Sequence, residues 1–206
     1  TILASSAHVA VAPAMDGYMF DNPATQENLD KLRQRGVAII GPAEGHLASG
    51  LRGMGRLVEV PQIVDTICAI LGEHGDMAGR SVVVSAGGTQ ETIDPVRVIT
   101  NRSSGKMGYA VAQAARDRGA RVTLVTAPTA LPDPARMEMR HVTTVPEMRE
   151  AVLSACVGAD ALIMAAAVSD YRPAQVASQK IKKEEDAEET VLHLVKNADF
   201  FLEVPE

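Results

Sequence analysis

Residues 81–108 read SVVVSAGGTQETIDPVRVITNRSSGKMG. The run Ser81–Ala86 is short, apolar and β-branched, which predicts a buried strand. Gly87 and Gly88 follow its carboxyl end, the edge at which open α/β sheets bind ligands. A second turn of small residues, Ser103–Gly105, precedes an amphipathic segment from about Ser104 to Arg118 that Gly119 closes, which predicts a helix. Two small-residue turns able to hold phosphate therefore flank Arg97 and Asn101. That pattern points to a nucleotide or phosphorylated substrate handled by an α/β enzyme.

Working outward, Arg121–Thr126 reads as a strand and TALPDPA (129–135) as a proline-bearing loop. Pro146–Cys156 reads as a helix and Ala161–Ala165 as another strand. Upstream, His8–Ala12 is a short strand ended by Pro13. Asn22-Pro23 opens a helix that stops at Gly36, and Val37–Ile40 is a second buried strand. GPAEGHLASGLRGMGRL (41–57) reads as a loop. A helix from Pro61 places Ile63, Val64, Ile67, Cys68 and Leu71 on one apolar stripe. The polar run Gly72–Arg80 is the best boundary, dividing the chain into 1–78 and 79–206. Strands alternating with helices predict a Rossmann-like three-layer α/β fold, in two segments with mostly parallel sheets.

Bulk properties agree with this class. The 206 residues can bury a real core, and 46% hydrophobic with 22% charged residues is ordinary for a globular protein. A net charge of −6 argues against a nucleic-acid surface and leaves nucleotide binding open. Cys68 and Cys156, both in apolar helical patterns, read as buried free thiols. No apolar run is long enough for a membrane span. The opening residues lack a charged leader and read as the interior of a domain, so the chain looks like a piece of something longer.

Several side chains carry chemistry. Thr89 adds a hydroxyl beside Gly87 and Gly88, although a plain strand-to-helix turn would use the same glycines; the spacing matches neither a dinucleotide nor a Walker fingerprint. Ser103 or Ser104 can cap the helix, whose first amides attract phosphate or carboxylate. Arg97 can clamp an anionic oxygen, and Asn101 can orient a carboxylate or its oxyanion. Lys106 sits in the first helical turn against the dipole preference, as a functional or a solvated lysine. In AAAVSDYRP, Ala165–Ala167 are small enough for a flat ring to lie against the backbone. Asp170 can accept from a sugar hydroxyl or hold magnesium beside phosphates, and Tyr171 packs. Lys180 and Lys182 of KIKK would reach a polyphosphate, and EEDAEE after Lys183 reads as a solvated loop.

Together GGTQETIDPVR, TNRSSGKMG, AAAVSDYRP and KIKK resemble the phosphopantothenate–cysteine ligase domain of the bifunctional coenzyme A biosynthesis proteins. PAMDGYMFDNPATQENLDKLRQRG and GPAEGHLASGLRGMGRL resemble the end of their flavin-dependent phosphopantothenoylcysteine decarboxylase domain. The resemblance implies that CTP activates the carboxylate of 4′-phosphopantothenate as an acyl-cytidylate, releasing pyrophosphate, and that cysteine's amine then forms the amide. It implies Asn101 acting on the acyl group, Lys180 serving conversion of the intermediate, and Ala165 and Ala166 against the nucleotide. Gly87, Gly88, Thr89, Ser103, Ser104, Gly105 and Lys182 would meet nucleotide or phosphate, and Arg97 the substrate. Asp170 would serve nucleotide or Mg2+. FMN would serve the decarboxylase part, with Asp16, Met19 and Ser49 near its substrate. A cytoplasmic homo-oligomer is expected, with no nucleic acid or membrane partner.

The chain departs from that pattern at two places. PAMD carries Asp16 where many members have asparagine, and LASG carries Ser49 where many have cysteine. The upstream flavin-binding segment with its histidine and the usual end of the ligase domain are expected to lie outside this sequence. The competing readings are a nicotinamide-dependent reductase, which lacks its glycine turn and an acidic residue closing the second strand, and an inactive interaction module.

Overall fold

The computed structural model describes residues 2–182 and 189–204. Its contacts gather into two compact units, Thr1–Ile70 and Leu71–Glu206. The first begins with a 3-10 turn at Ile2–Ala4 and contains β1 (Ala10–Val11), α1 (Gly17–Phe20), α2 (Pro23–Gln34), β2 (Ala38–Ile39), β3 (Ala43–His46), β4 (Arg52–Arg56) and most of α3 (Val60–Gly72). Asn22 Oδ1 accepts from the Ala24 amide at 3.0 Å and Pro23 occupies the first turn, where its missing N–H costs nothing. This helix joins β1 to β2, which pair in parallel.

Two expectations fail in this unit. Residues 41–57, read as a loop, fold into the antiparallel hairpin β3–β4. AEGH and RGMGR are too rich in glycine and charge to show the apolar alternation that marks a strand. The stripe on α3 is a true helix face, but it points outward: Val64, Ile67, Leu71 and Cys68 are exposed, and Ala69 and Ile70 supply the buried contacts. Cys68 is therefore an exposed thiol, whereas Cys156 is buried.

The second unit contains β5 (Ser81–Ala86), β6 (Gln90–Asp94), β7 (Arg97–Thr100), α4 (Lys106–Arg116), β8 (Arg121–Thr126), β9 (Glu138–His141), α5 (Val145–Cys156), β10 (Ala161–Met164), β11 (Tyr171–Pro173), β12 (Leu194–Lys196) and a 3-10 turn at Phe200–Glu203. A four-stranded sheet of order β10-β5-β8-β9 is parallel throughout. Val82, Val84 and Ala86 of β5 pack with Val122 and Leu124 of β8 against Tyr109, Ala112 and Ala115 of α4. On the opposite face Val83 and Val125 meet Val145, Met148 and Val152 of α5. The result is helix, sheet, helix: three layers. A strand covered on both faces needs a continuous apolar run, which explains VVV. Each fully buried aliphatic side chain here contributes about 1.5–3 kcal/mol.

Thr144 caps α5 reciprocally with Glu147, and Pro146 lies in its first turn. The polar run after α3 is no free linker. The Met77 amide donates to the Arg118 carbonyl at 2.9 Å, Arg118 Nε donates to Asp76 at 2.8 Å, and Met77 packs on the core beneath α4. Two antiparallel ribbons, β6–β7 and β11–β12, stand apart from the main sheet. Among the described residues no helix is long and apolar enough to cross a membrane.

Candidate functional site

The site grows from the carboxyl ends of β5 and β10. Past the named strands the Ala167 amide donates to the Gly87 carbonyl at 2.7 Å, and the Thr89 amide to the Ala167 carbonyl at 3.3 Å. Gly88 and Ala167 thus form a parallel bridge. Ser85, fully buried at the end of the valine run, turns its Oγ to the amides of Ala165 (3.1 Å) and Ala166 (3.2 Å). Those two alanines are half-buried and held through their backbone amides, and Ala166 packs on the core with Val83 and Met148. Thr89 Oγ1 accepts from the Ser169 amide at 2.9 Å, and its carbonyl accepts from Thr100 Oγ1 at 2.8 Å.

Asn101 closes this arrangement. Its Nδ2 donates to the carbonyls of Ala167 (3.4 Å) and Val168 (3.3 Å). Carbonyls only accept, so the NH2 edge faces that wall and Oδ1 is presented away from it. The hairpin β6–β7 brings Asn101 here from Thr89 across eleven intervening residues, which the sequence reading leaves without an element between its two turns. Glu91, on that hairpin, accepts from the Val145 amide at 2.9 Å at the start of α5. Burial pushes the Glu91 carboxyl up, against the opposing pull of that amide and of Arg172.

The second turn differs from expectation. Neither Ser103 nor Ser104 caps α4; its N-cap is Gly105, at φ 73°, without a side-chain hydrogen bond. Ser103 Oγ instead accepts from the Gly105 amide at 3.4 Å. Glycine suits this left-handed position, where a Cβ would also meet Thr129 Cγ2 at 2.7 Å; nearby Gly87 is likewise left-handed, at φ 79°. The serines line a cleft of about 500 Å³ with Lys106, Pro128, Thr129 and Leu131. A second cleft, of about 340 Å³, is lined by Val168, Asp170, Lys196, Asn197, Asp199 and Phe201, among others. Asn101 lies between: its amide is bonded to Val168 of one cleft, and two residues on, Ser103 lines the other.

Asp170 is exposed on the wall of the second cleft. Asn197 braces that wall, its amide donating to the Asp170 carbonyl at 2.8 Å and its Nδ2 to the Ser169 carbonyl at 2.8 Å. Arg97 is committed elsewhere: Nε (2.9 Å) and Nη2 (2.6 Å) both donate to Asp94. Nη2 also reaches the Ile181 carbonyl at 3.2 Å, which brings the KIKK segment to the hairpin tip. Lys180 and Lys182 are exposed on either side of Ile181. Lys183 and residues 184–188 of the acidic run lie outside the described residues. Among the described residues no three His, Cys, Asp or Glu side chains gather as a metal site.

In the first unit Asp16 and Ser49 come together. Asp16 Oδ1 caps α1 by accepting from the Tyr18 amide at 3.1 Å, and its other oxygen accepts from Ser49 Oγ. The two positions that depart from the family pattern are thus hydrogen-bonded to each other, and the Ser49 proton is spent on Asp16. Both line a cleft of about 350 Å³ with His46 and Arg56. Met19 is exposed on α1 and is not among its lining residues. Sequence reasoning missed Ser85, Asp94, Ser169 and Asn197. The first two carried a signal, a hydroxyl ending an apolar strand and an Asp-Pro-x-Arg turn; the others show their role only through the fold.

Similarity to known proteins follows the same division. Residues 77–206 match the family described as DNA/pantothenate metabolism flavoprotein C-terminal domain, and residues 1–72 match the Flavoprotein family. The chain is 47% identical over 203 residues to the coenzyme A biosynthesis bifunctional protein CoaBC of Vibrio vulnificus, covering 98% of this chain and 50% of that protein. Identity is also 47%, over 204 residues, to the Mycobacterium tuberculosis protein of the same name, covering 97% of this chain and 49% of the relative. The chain therefore spans about half the length of the curated relatives it matches. A crystal structure of the C-terminal domain of a CoaBC protein aligns with a TM-score of 0.52 at 40% identity, covering 60% of this chain and 57% of that one. The DNA/pantothenate metabolism flavoprotein from Streptococcus pneumoniae aligns with a TM-score of 0.51 at 28% identity, over 58% of this chain and 61% of that one. The chain belongs to the DNA/pantothenate metabolism flavoprotein C-terminal domain family.

Proposed function

We propose that the second unit serves the CTP-dependent joining of 4′-phosphopantothenate to cysteine, within a protein that also decarboxylates the product on the way to coenzyme A. The observation that carries this reading is the position of Asn101 between two clefts. In this reading the Phe201 cleft takes the cytidine, with Ala165 and Ala166 against the nucleotide. The Ser103–Lys106 cleft takes the phosphorylated acid, its open first-turn amides and Lys106 meeting the phosphate. Gly87, Gly88, Thr89 and Gly105 are buried, and the Thr89 hydroxyl is engaged by Ser169, so in this reading they shape the floor under the reacting groups rather than meet the phosphates.

A carboxylate oxygen attacks the α-phosphorus of CTP and pyrophosphate leaves. Cysteine's amine nitrogen then attacks the acyl carbon, CMP departs with the bridging oxygen, and the amine gives up a proton. Asn101 Oδ1, turned from the wall, accepts a hydrogen bond from that amine and aligns it. Lys180 and Lys182 meet the triphosphate charge as it develops. Mg2+ fits as an ion carried mainly by the triphosphate, with Asp170 as a single protein ligand, because this ion keeps waters and favours phosphate oxygens. Exposed apolar side chains on β11–β12, Tyr171, Leu194 and Val195, suit the expected homo-oligomer.

For the first unit, FMN would supply the oxidation that eases loss of a carboxylate. The Asp16 carboxylate in the Ser49 cleft does not suit a flavin phosphate or a substrate carboxylate, and no step is assigned to FMN through these residues. The ligase reading is tested by pyrophosphate release. Release must require CTP and 4′-phosphopantothenate together, and steady-state release with cysteine present must fall about 100-fold or more in Asn101→Ala, because attack of the amine then limits turnover. Release independent of the pantothenate substrate overturns it.

A further inference from the structure

We propose that Asp94 is a positioning residue that, together with Arg97, anchors the backbone at Ile181 and thereby sets where Lys180 and Lys182 can reach. The proposal rests on the reading that these lysines meet the triphosphate. Asp94 ends β6, and its carboxylate is wholly buried although it lies at a hairpin tip. Four N–H groups converge on it. Oδ1 accepts from the Val96 amide at 3.0 Å, which closes the turn. Oδ2 accepts from Arg97 Nε at 2.9 Å and Nη2 at 2.6 Å, and from the Ile181 amide at 3.1 Å.

Arg97 Nη2 also donates to the Ile181 carbonyl at 3.2 Å, so this pair engages both backbone groups of one residue in the lysine segment. A second tie lies four residues earlier, where the Ala177 amide donates to the Ile93 carbonyl at 2.9 Å. The segment around Ile181 belongs to neither a helix nor a strand. Its register is thus held by these ties. Val96 and Arg97 close the turn locally; the Ile181 amide on the carboxylate, and the Ile181 carbonyl on Arg97 Nη2, tie the pair to the distant segment. Lysine is a compact charge on a flexible stem, and fixing the backbone between two lysines narrows the volume each ammonium samples.

Asparagine cannot replace this carboxylate. Donors approach both oxygens, so whichever way an amide is turned, its NH2 faces an N–H and one set of bonds is lost. The test uses the whole chain, with trypsin cleavage after Lys180 and steady-state pyrophosphate release measured on the same preparations. Asp94→Asn is expected to speed cleavage at the Lys180–Ile181 bond about 10-fold or more and to lower kcat about 10- to 100-fold, with the KM for 4′-phosphopantothenate little changed. Asp94→Asn/Lys180→Gln is expected to lose less than the product of the two single losses, because both remove the Lys180 contribution and only Asp94→Asn also removes that of Lys182. Ile181→Pro, which deletes the donor without touching the buried carboxylate, is expected to reproduce the kinetic loss even if Asp94→Asn folds poorly. Unchanged cleavage in Asp94→Asn, or losses that multiply in the double variant, overturn the positioning role alone. A silent Lys180→Gln overturns the lysine reading, and the positioning role with it.

Discussion

Replacing Gly88 with alanine tests whether the two turns are held together as tightly as the geometry demands. Gly88 bridges Ala167 in the extension of the parallel sheet, so the strand side cannot retreat without breaking those bonds. A Cβ built there would lie 2.7 Å from the Asn101 carbonyl oxygen, 3.4 Å from Thr100 Oγ1 and 3.5 Å from Ser103 Cβ. The Asn101 side must therefore give by about 0.7 Å to regain ordinary contact at 3.4 Å. Gly88 has no positive φ, so alanine suffers no backbone penalty and the steric clash is the whole effect. Overpacking of this size costs about 1–3 kcal/mol of stability. A displacement near 1 Å at a reacting group costs up to about 100-fold in rate. Denaturant unfolding and pyrophosphate release measured on one preparation should show both losses. Gly53→Ala, with nothing within 4 Å of the added carbon, should show neither. A Gly88→Ala protein with wild-type stability and turnover would refute the reasoning.

Three further outcomes follow from the packing and charges. Met148→Ala removes a fully buried side chain from the face under α5 and should cost about 2–5 kcal/mol in chemical unfolding without changing the denaturant slope; a loss below about 1 kcal/mol would contradict the packing described. The Arg97 guanidinium holds the Asp94 carboxyl well below the ordinary aspartate value of 3.8. The folded state therefore binds this proton more weakly than the unfolded one, so the stabilisation is present above about pH 4 and is lost as pH falls further. Wild type should lose more stability than Asp94→Asn between pH 5 and about pH 3, and parallel curves would contradict the pairing. A thiol reagent should label one cysteine, Cys68, rapidly in the native protein, while Cys156, whose thiol burial pushes up, reacts only on unfolding. Two fast thiols would contradict its burial.

What could be read from the sequence follows from where the physics is local. SVVVSA announced a strand covered on both faces because that environment demands a continuous apolar run, and Asn22-Pro23 announced α2 because capping acts over a few residues. The ribbons β3–β4 and β6–β7 were not legible. RGMGR and QETID have no apolar period, since these ribbons lie off the main sheet and are held by cross-strand backbone bonds. The stripe on α3 shows the opposite failure: its periodicity marks the helix correctly and says nothing about which face is covered. At the site, the motifs named Asn101, Asp170 and the turn glycines, and the fold shows how they meet. Arg97 reads from the sequence as a clamp for a ligand; the Asp94 carboxylate takes it instead. Ser103 and Ser104 read as caps from the sequence, but the left-handed backbone of the cap and the Thr129 methyl beside it call for a glycine there.

In the proposed reaction a carboxylate is activated on CTP and its acyl group is then transferred to an amine. Full-length protein incubated with CTP, cysteine and 4′-phosphopantothenate labelled with oxygen-18 in its carboxylate tests it directly. CMP should carry one labelled oxygen and the pyrophosphate none. Unlabelled CMP, or CDP with labelled inorganic phosphate, would contradict it.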